Sequence, residues 1–164
     1  MGKMYDWVEN VIKGRIAETL VEELFLTLKY DVFRYGMENT VPGTRGMFNK
    51  HSSVSTILRK MPDFVVCNKK TGNVFFLEVK YRASGIFTFK DLDCNADYPY
   101  TDVYVVLISK RHIKCATYEE LKSGASITPE SKNYLGYRNE LCSDDDKKIV
   151  IDFCQYAVKF FESV

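Results

Sequence analysis

Long apolar runs are missing from this sequence, and so is the pattern of an export signal. No stretch approaches the ~20 apolar residues that a membrane-spanning helix needs. Residues 1–6 lack the basic-then-apolar order of a signal peptide. We therefore expect no membrane partner and a cytoplasmic protein that is not secreted.

Cysteine pairs with the spacing of a metal or redox site are also missing. The sequence has an odd number of cysteines, and no two of them form a Cys-x-x-Cys motif. Both observations argue against a disulfide framework or a zinc site, and they favour reduced thiols in a reducing compartment. The cysteines are Cys67, Cys94, Cys115, Cys142 and Cys154.

An excess of charge of either sign is absent as well, since the net charge is +1. The local distribution is more informative, because residues 39–62 contain no acidic side chain. Basic segments of this kind suit phosphate groups, although an ordinary solvated surface is the commoner explanation. His51 lies in the same segment and is expected to be a surface histidine. The candidate phosphate contacts are Arg45, Lys50, Arg59, Lys60 and, further along the chain, Arg82.

Hydrophobic periodicity predicts one mixed α/β domain that spans residues 1–164, with a core at about 14–109 and a C-terminal extension at about 110–164. Helices are predicted at 14–29 and from about 144 to 162, with a helical turn at 54–60 and a weak helix at 89–96. Loops are predicted at 36–53, which is glycine- and proline-containing, and at 123–143, which is polar. Strands are predicted at 31–35, 62–66, 73–81, 102–109 and 113–117.

The two strands that form the predicted hairpin carry the residues of most interest. Asp63 begins the first strand, and the second strand ends on Glu78-Val79-Lys80 after an apolar run. Alternate residues of a strand share a face, so Glu78 and Lys80 project to the same side. Glu18 lies at the edge of the apolar stripe of the first helix and can approach this end of the sheet.

Three carboxylates that converge beside one lysine require further positive charge. A hard divalent cation can supply it, because Mg²⁺ prefers carboxylate and water oxygens and bridges readily to phosphate. Such a cation polarises a phosphodiester and lowers the pKa of a bound water. Lys80 could orient or help deprotonate that water, or offset charge in the transition state. The pattern therefore indicates phosphodiester hydrolysis with Mg²⁺ or Mn²⁺.

Pro62-Asp63, followed after a hairpin by Glu78-Val79-Lys80, resembles the motif of the PD-(D/E)xK nuclease superfamily. Residues 14–18, Gly-Arg-Ile-Ala-Glu, resemble the glutamate-bearing first helix of archaeal Holliday-junction resolvases and related enzymes. The resemblance implies a restriction-endonuclease-like αβββαβ core, with a central mixed sheet flanked by helices, plus a C-terminal helix. It also implies metal ligation by Asp63, Glu78 and the Val79 carbonyl, an outer or second-metal ligand at Glu18, and a catalytic Lys80.

Our leading expectation is a Mg²⁺-dependent DNA endonuclease. An RNA endonuclease of the same fold, a non-catalytic nucleic-acid-binding module and a protein-interaction domain are the alternatives. A homodimer is a reasonable expectation, because the two strands of a duplex present two related phosphates. Three residues of the polar loop at 123–143, which we call the excursion, could stack on unpaired bases, although ordinary packing is the commoner role for such residues. They are Tyr134, Tyr137 and Arg138.

Overall fold

The computed structural model describes residues 2–36, 52–92 and 98–162. Within these ranges the chain forms an α/β fold in which helices flank a five-stranded mixed sheet. The helices are α1 (Gly2–Thr27), α2 (Ser53–Arg59), α3 (Tyr118–Lys122) and α4 (Lys147–Phe161). The strands are β1 (Tyr30–Arg34), β2 (Phe64–Asn68), β3 (Val74–Tyr81), β4 (Val103–Ile108) and β5 (Ile113–Thr117).

The strands lie side by side in chain order, so β3 is the central strand. A tight turn joins β2 to β3, and the Asn68 side chain stabilises it by accepting hydrogen bonds from the backbone N–H groups of Lys70 and Thr71. Among the strand pairs in the described residues, β3 and β4 alone are parallel. Parallel neighbours need a crossover connection, and the chain between them passes over one face of the sheet through a 3-10 turn at Phe89–Leu92.

Each face of the sheet has its own apolar core. The face that carries Leu77 and Val79 packs against α1 and α4. The opposite face, with Val105 and Leu107, packs against α3 and the crossover segment, where Phe87 is fully buried. The two cores arise because successive side chains of a strand point to opposite faces.

The first helix is longer than predicted, because it begins at Gly2 rather than near residue 14. Its first turns are exposed, including Trp7 with 67% of its surface accessible, and burial begins at Ala17. Met4, Trp7, Val8 and Ile12 recur at helical spacing in these turns, so the apolar stripe extends beyond the predicted start of the helix. These side chains are nevertheless exposed in the described structure.

The other differences concern short segments. The predicted helix at 89–96 is a 3-10 turn at Phe89–Leu92, and 93–97 lie outside the described residues. The short helix α3, at Tyr118–Lys122, was not predicted, although a Thr117–Glu120 capping box marks its start. The predicted loop at 36–53 lies outside the described residues, apart from its ends. The candidate contacts Arg45 and Lys50 and the expected surface histidine His51 therefore lie outside them as well.

The closing helix is close to its prediction. A 3-10 turn at Asp144–Asp146 leads into α4, whose Val150, Ala157 and Phe161 are buried. Ile149, Phe153 and Cys154 pack against the core while partly exposed.

Two expectations about composition can be compared with the described residues. Their cysteines, Cys67, Cys115, Cys142 and Cys154, are free thiols, whereas Cys94 lies outside the described ranges. None of the helices in these ranges is both long and apolar enough to cross a bilayer.

Candidate active site

The site begins at Asp63, the residue just before β2. Phe64 opposite Leu77 is the last pair of the β2–β3 ladder, and the same register places Asp63 opposite Glu78. The Asp63 Oδ2 atom accepts a hydrogen bond of 2.7 Å from the backbone N–H of Val79. Its own backbone carbonyl accepts from the N–H groups of Tyr35 and Gly36, at 2.9 and 3.3 Å. Asp63 is therefore held from both neighbouring segments.

Glu78 and Lys80 share one face of β3, as period-two alternation requires. Lys80 Nζ donates a hydrogen bond of 2.6 Å to Glu78 Oε1. The Glu78 side chain is 15% exposed and the Lys80 side chain 32% exposed, so this ion pair is shielded from bulk water on most sides. Charges in such an environment interact more strongly than a surface pair does.

These residues line one cavity of about 230 Å³ at the end of the sheet. Glu18 reaches the cavity from α1, and its Oε2 atom lies 4.0 Å from the guanidinium of Arg34. The structure thus brings together the four side chains that the sequence predicted to converge. The described lining is Glu18, Arg59, Lys60, Met61, Asp63, Glu78, Val79, Lys80, Asp91, Leu92 and Tyr98.

Electrostatics in the cavity work against Asp63 as a carboxylate. Burial raises the pKa of Asp63 well above its usual value, and the charges of Glu78 and Glu18 raise it further. The Lys80 ammonium and the Val79 N–H act in the opposite direction but do not compensate. The described lining holds four carboxylate groups against the three cations Arg59, Lys60 and Lys80, so its formal charge is negative.

Lys80 is held as an ammonium. Burial alone would lower the pKa of Lys80, but the carboxylates of Glu78 and Asp63 outweigh that effect, and the net pKa is raised. A lysine with a raised pKa does not accept a proton at neutral pH. Among the roles that the sequence left open for Lys80, the raised pKa favours the one in which its ammonium offsets charge in the transition state.

The donor set fits a hard cation. Asp63 and Glu78 supply carboxylate oxygens from adjacent strands. The Val79 carbonyl points toward the same strand edge as its N–H, because the two groups of one strand residue face the same neighbour. Within the described ranges, no three His, Cys, Asp or Glu side chains are grouped closely enough to hold a metal ion. Two carboxylates suffice for Mg²⁺, because this ion usually retains several waters and is held by only one or two carboxylate groups.

The candidate phosphate contacts separate into three groups. Arg59, the last residue of α2, and Lys60, the next residue, both line the cavity. Arg82 is exposed, outside that lining, with its guanidinium 5.8 Å from the centre of the Phe87 ring. Arg45 and Lys50 lie outside the described residues.

Sequence reasoning missed Asp91 and Tyr98, which also line the cavity. Asp91 accepts hydrogen bonds from the N–H and hydroxyl of Thr88, at 2.8 and 3.1 Å, and so caps the 3-10 turn. The Thr88-x-x-Asp91 spacing could have indicated a turn. Its position beside Lys80 follows only from the path of the crossover.

The aromatic and basic residues of the excursion serve packing in this structure. Arg138 pairs with Glu120 and donates a hydrogen bond of 3.2 Å to the Cys115 carbonyl. Tyr134 lies between the rings of His112 and Tyr137, at 5.5 and 5.4 Å. Arg138 therefore fastens the excursion to β5, as the packing interpretation expects.

No protein-family model, curated protein or solved structure matches this chain.

Proposed function

We propose that this chain is a metal-dependent endonuclease that hydrolyses phosphodiester bonds in DNA, and that its sheet is a restriction-endonuclease-like core of the PD-(D/E)xK type. One observation carries the proposal. Asp63, just before β2, and Glu78, on β3, stand opposite each other beside Lys80. The four carboxylates in the described lining of their cavity outnumber its three cations. A divalent cation and a phosphate together would complete that charge balance.

Each residue then has a distinct role. Asp63, Glu78 and the Val79 carbonyl would hold Mg²⁺ or Mn²⁺, and Glu18 would act as an outer or second-metal ligand. When bound, the cation would polarise the phosphodiester and lower the pKa of a water. Holding both reactants in one cavity reduces the entropic cost of their encounter.

Lys80 would act through its charge rather than as a base. Its ammonium lies where negative charge develops on the phosphoryl oxygens, and a pre-positioned cation of this kind lowers the barrier. Arg59 and Lys60 in the cavity wall would hold the phosphate in place. The attacking water would give its proton to solvent or to another group.

A cleavage panel tests this proposal. Supercoiled plasmid, single-stranded DNA, branched DNA and RNA are incubated with Mg²⁺, Mn²⁺ or EDTA. We expect DNA cleavage that EDTA abolishes, and a loss of about 100-fold or more in Asp63→Asn, Glu78→Gln and Lys80→Met. Asp31→Asn is the control, because Asp31 pairs with Lys69 at the opposite end of the sheet.

Other outcomes select other functions. Cleavage of RNA alone identifies the RNA endonuclease, and unchanged cleavage by all three variants rejects the assigned residues. If the protein cleaves neither DNA nor RNA, calorimetry measures whether it binds Mg²⁺ and whether it binds DNA. Retained DNA affinity without metal binding indicates a non-catalytic nucleic-acid-binding module, and the absence of both favours a protein-interaction domain.

A further inference from the structure

A second cavity, of about 310 Å³, opens on the same side of the sheet as the candidate active site. Its polar lining comes from two places that are distant in sequence. Ser84 follows β3, and Ser109, Lys110, Arg111 and His112 form the turn from β4 to β5. None of the described residues that line this cavity is acidic.

The strand register places this cavity beside Lys80. Lys80 pairs with Leu107, and Leu107 pairs with Lys114, so the three form one row across the sheet. Paired residues project to the same face, and neighbouring strands are about 4.8 Å apart. The lining residues Leu107 and Lys114 therefore stand about 5 and 10 Å across the sheet from Lys80.

The basic turn is rigidly shaped by its own hydrogen bonds. The Ser109 hydroxyl accepts from the backbone N–H groups of Arg111 and His112, at 3.4 and 3.1 Å. At the floor, the buried Lys114 ammonium is fastened by the carbonyls of Thr128, Pro129 and Ser131. The cavity is thus concave, cationic and preformed, which distinguishes it from a chain of solvated surface lysines.

We propose that this second cavity binds a phosphate of the same nucleic-acid strand that is cut at the first, about one to two nucleotides away. The inference rests on the proposed function and adds to it a direction for the substrate, past the ends of β3 and β4 toward the β4–β5 turn. The spacing follows from the separation of about 10 Å, because the phosphates of one strand wind around the helix and so lie farther apart through space than their axial rise of about 3.4 Å.

His112 provides a local reporter. Burial lowers the pKa of His112, and the charges of Lys114 and Arg111 lower it further. A phosphate in the cavity would favour the imidazolium. The sequence has two histidines, so a His51→Gln variant assigns the His112 resonance in an NMR pH titration. We expect a DNA oligonucleotide in EDTA to raise the pKa of His112, and an unchanged titration of a saturated complex overturns the proposal.

Salt dependence of binding is the second measurement. Anisotropy of a labelled oligonucleotide in EDTA is recorded at several salt concentrations for the wild type, Lys110→Ser/Arg111→Ser and Lys70→Ser. Lys70 is exposed in the turn at the opposite end of the sheet. We expect the double variant to reduce the slope of log K against log salt by about one to two, and the control to match the wild type.

These outcomes separate the two proposals. A wild type that neither cleaves DNA nor binds the oligonucleotide rejects the proposed function, and this inference with it. Cleavage without oligonucleotide binding in EDTA rejects the second cavity alone. Binding with an unchanged slope in the double variant rejects the second cavity alone. Mg²⁺ calorimetry on the double variant completes the design, because a lost metal affinity would indicate general damage, and retained affinity is expected.

Discussion

Asp63 lies half-buried just before β2, next to Glu78 and within the field of Glu18. Its pKa is raised, so the ionised form costs more in the folded protein than in the unfolded chain. Below the usual aspartate pKa of about 3.9, the carboxyl group is protonated in both the folded and the unfolded state, so no stability is lost. As pH rises from there through the raised pKa, the folded state loses stability.

Asp63→Asn should therefore stabilise the protein while it abolishes cleavage. The amide oxygen can still accept from the Val79 N–H, and the costly charge is gone. We expect a gain of about 1–2 kcal/mol at pH 7 that vanishes near pH 4, measured by thermal unfolding across that range. Asp31→Asn should show no such pH-dependent gain, and a less stable Asp63→Asn protein at pH 7 would contradict the argument.

Lys80→Met should separate chemistry from metal binding. The variant removes the ammonium that competes with a cation for Glu78 Oε1. We expect Mg²⁺ affinity in calorimetry to be retained or tightened, although cleavage is lost. Asp63→Asn should instead lose both. If Lys80→Met abolishes Mg²⁺ binding in a protein that remains folded, Lys80 has a structural role at the site.

At the scale of elements, Lys114 fastens the excursion after α3 to the sheet. The sequence places it in a basic cluster, yet the side chain is buried on β5 and donates to three backbone carbonyls. Its pKa is lowered mainly by burial. A buried ammonium is tolerated there because each N–H group finds an acceptor.

Lys114→Met should destabilise the protein by about 2–4 kcal/mol, because it leaves three carbonyls without their donor. Denaturant unfolding monitored by far-UV circular dichroism measures the change. Lys132→Met is the matched control, since Lys132 is exposed in the same excursion. A loss of equal size in both variants would show that the contacts of Lys114 are not responsible.

For the whole molecule, the C-terminal extension belongs to the same core as α1 and the first three strands. Ile113 and Leu135 are buried in one cluster with Val150, Ala157 and Phe161 of α4. Removing residues 110–164 would expose this cluster and leave β4 as an open edge. The first turns of α1, by contrast, contribute exposed side chains.

Two truncations test this asymmetry. A chain that ends at residue 109 should fail to fold, whereas a chain that starts at residue 14 should unfold cooperatively within a few degrees of the intact protein. Circular dichroism and one-dimensional NMR measure both outcomes. A folded, monomeric product from the C-terminal truncation would show that the core at 14–109 is autonomous.

Local patterns in the sequence were sufficient for much of the fold and for the centre of the candidate site. Alternation determined that Glu78 and Lys80 share a face, and the short turn after Asn68 determined that Asp63 opposes Glu78. These are contacts between near neighbours along the chain, for which residue spacing alone specifies geometry.

Only the tertiary structure decided which distant segments complete the two cavities. Asp91 and Tyr98 reach the first cavity through the crossover, and Ser84 meets the Lys110–His112 turn because β3 and β4 pair in parallel. Whether a basic residue such as Lys114 is buried likewise depends on carbonyls up to 17 positions away. Such placements follow from how whole elements pack. Hydrophobic periodicity shows which face of an element is buried, but it does not specify which other element packs against that face.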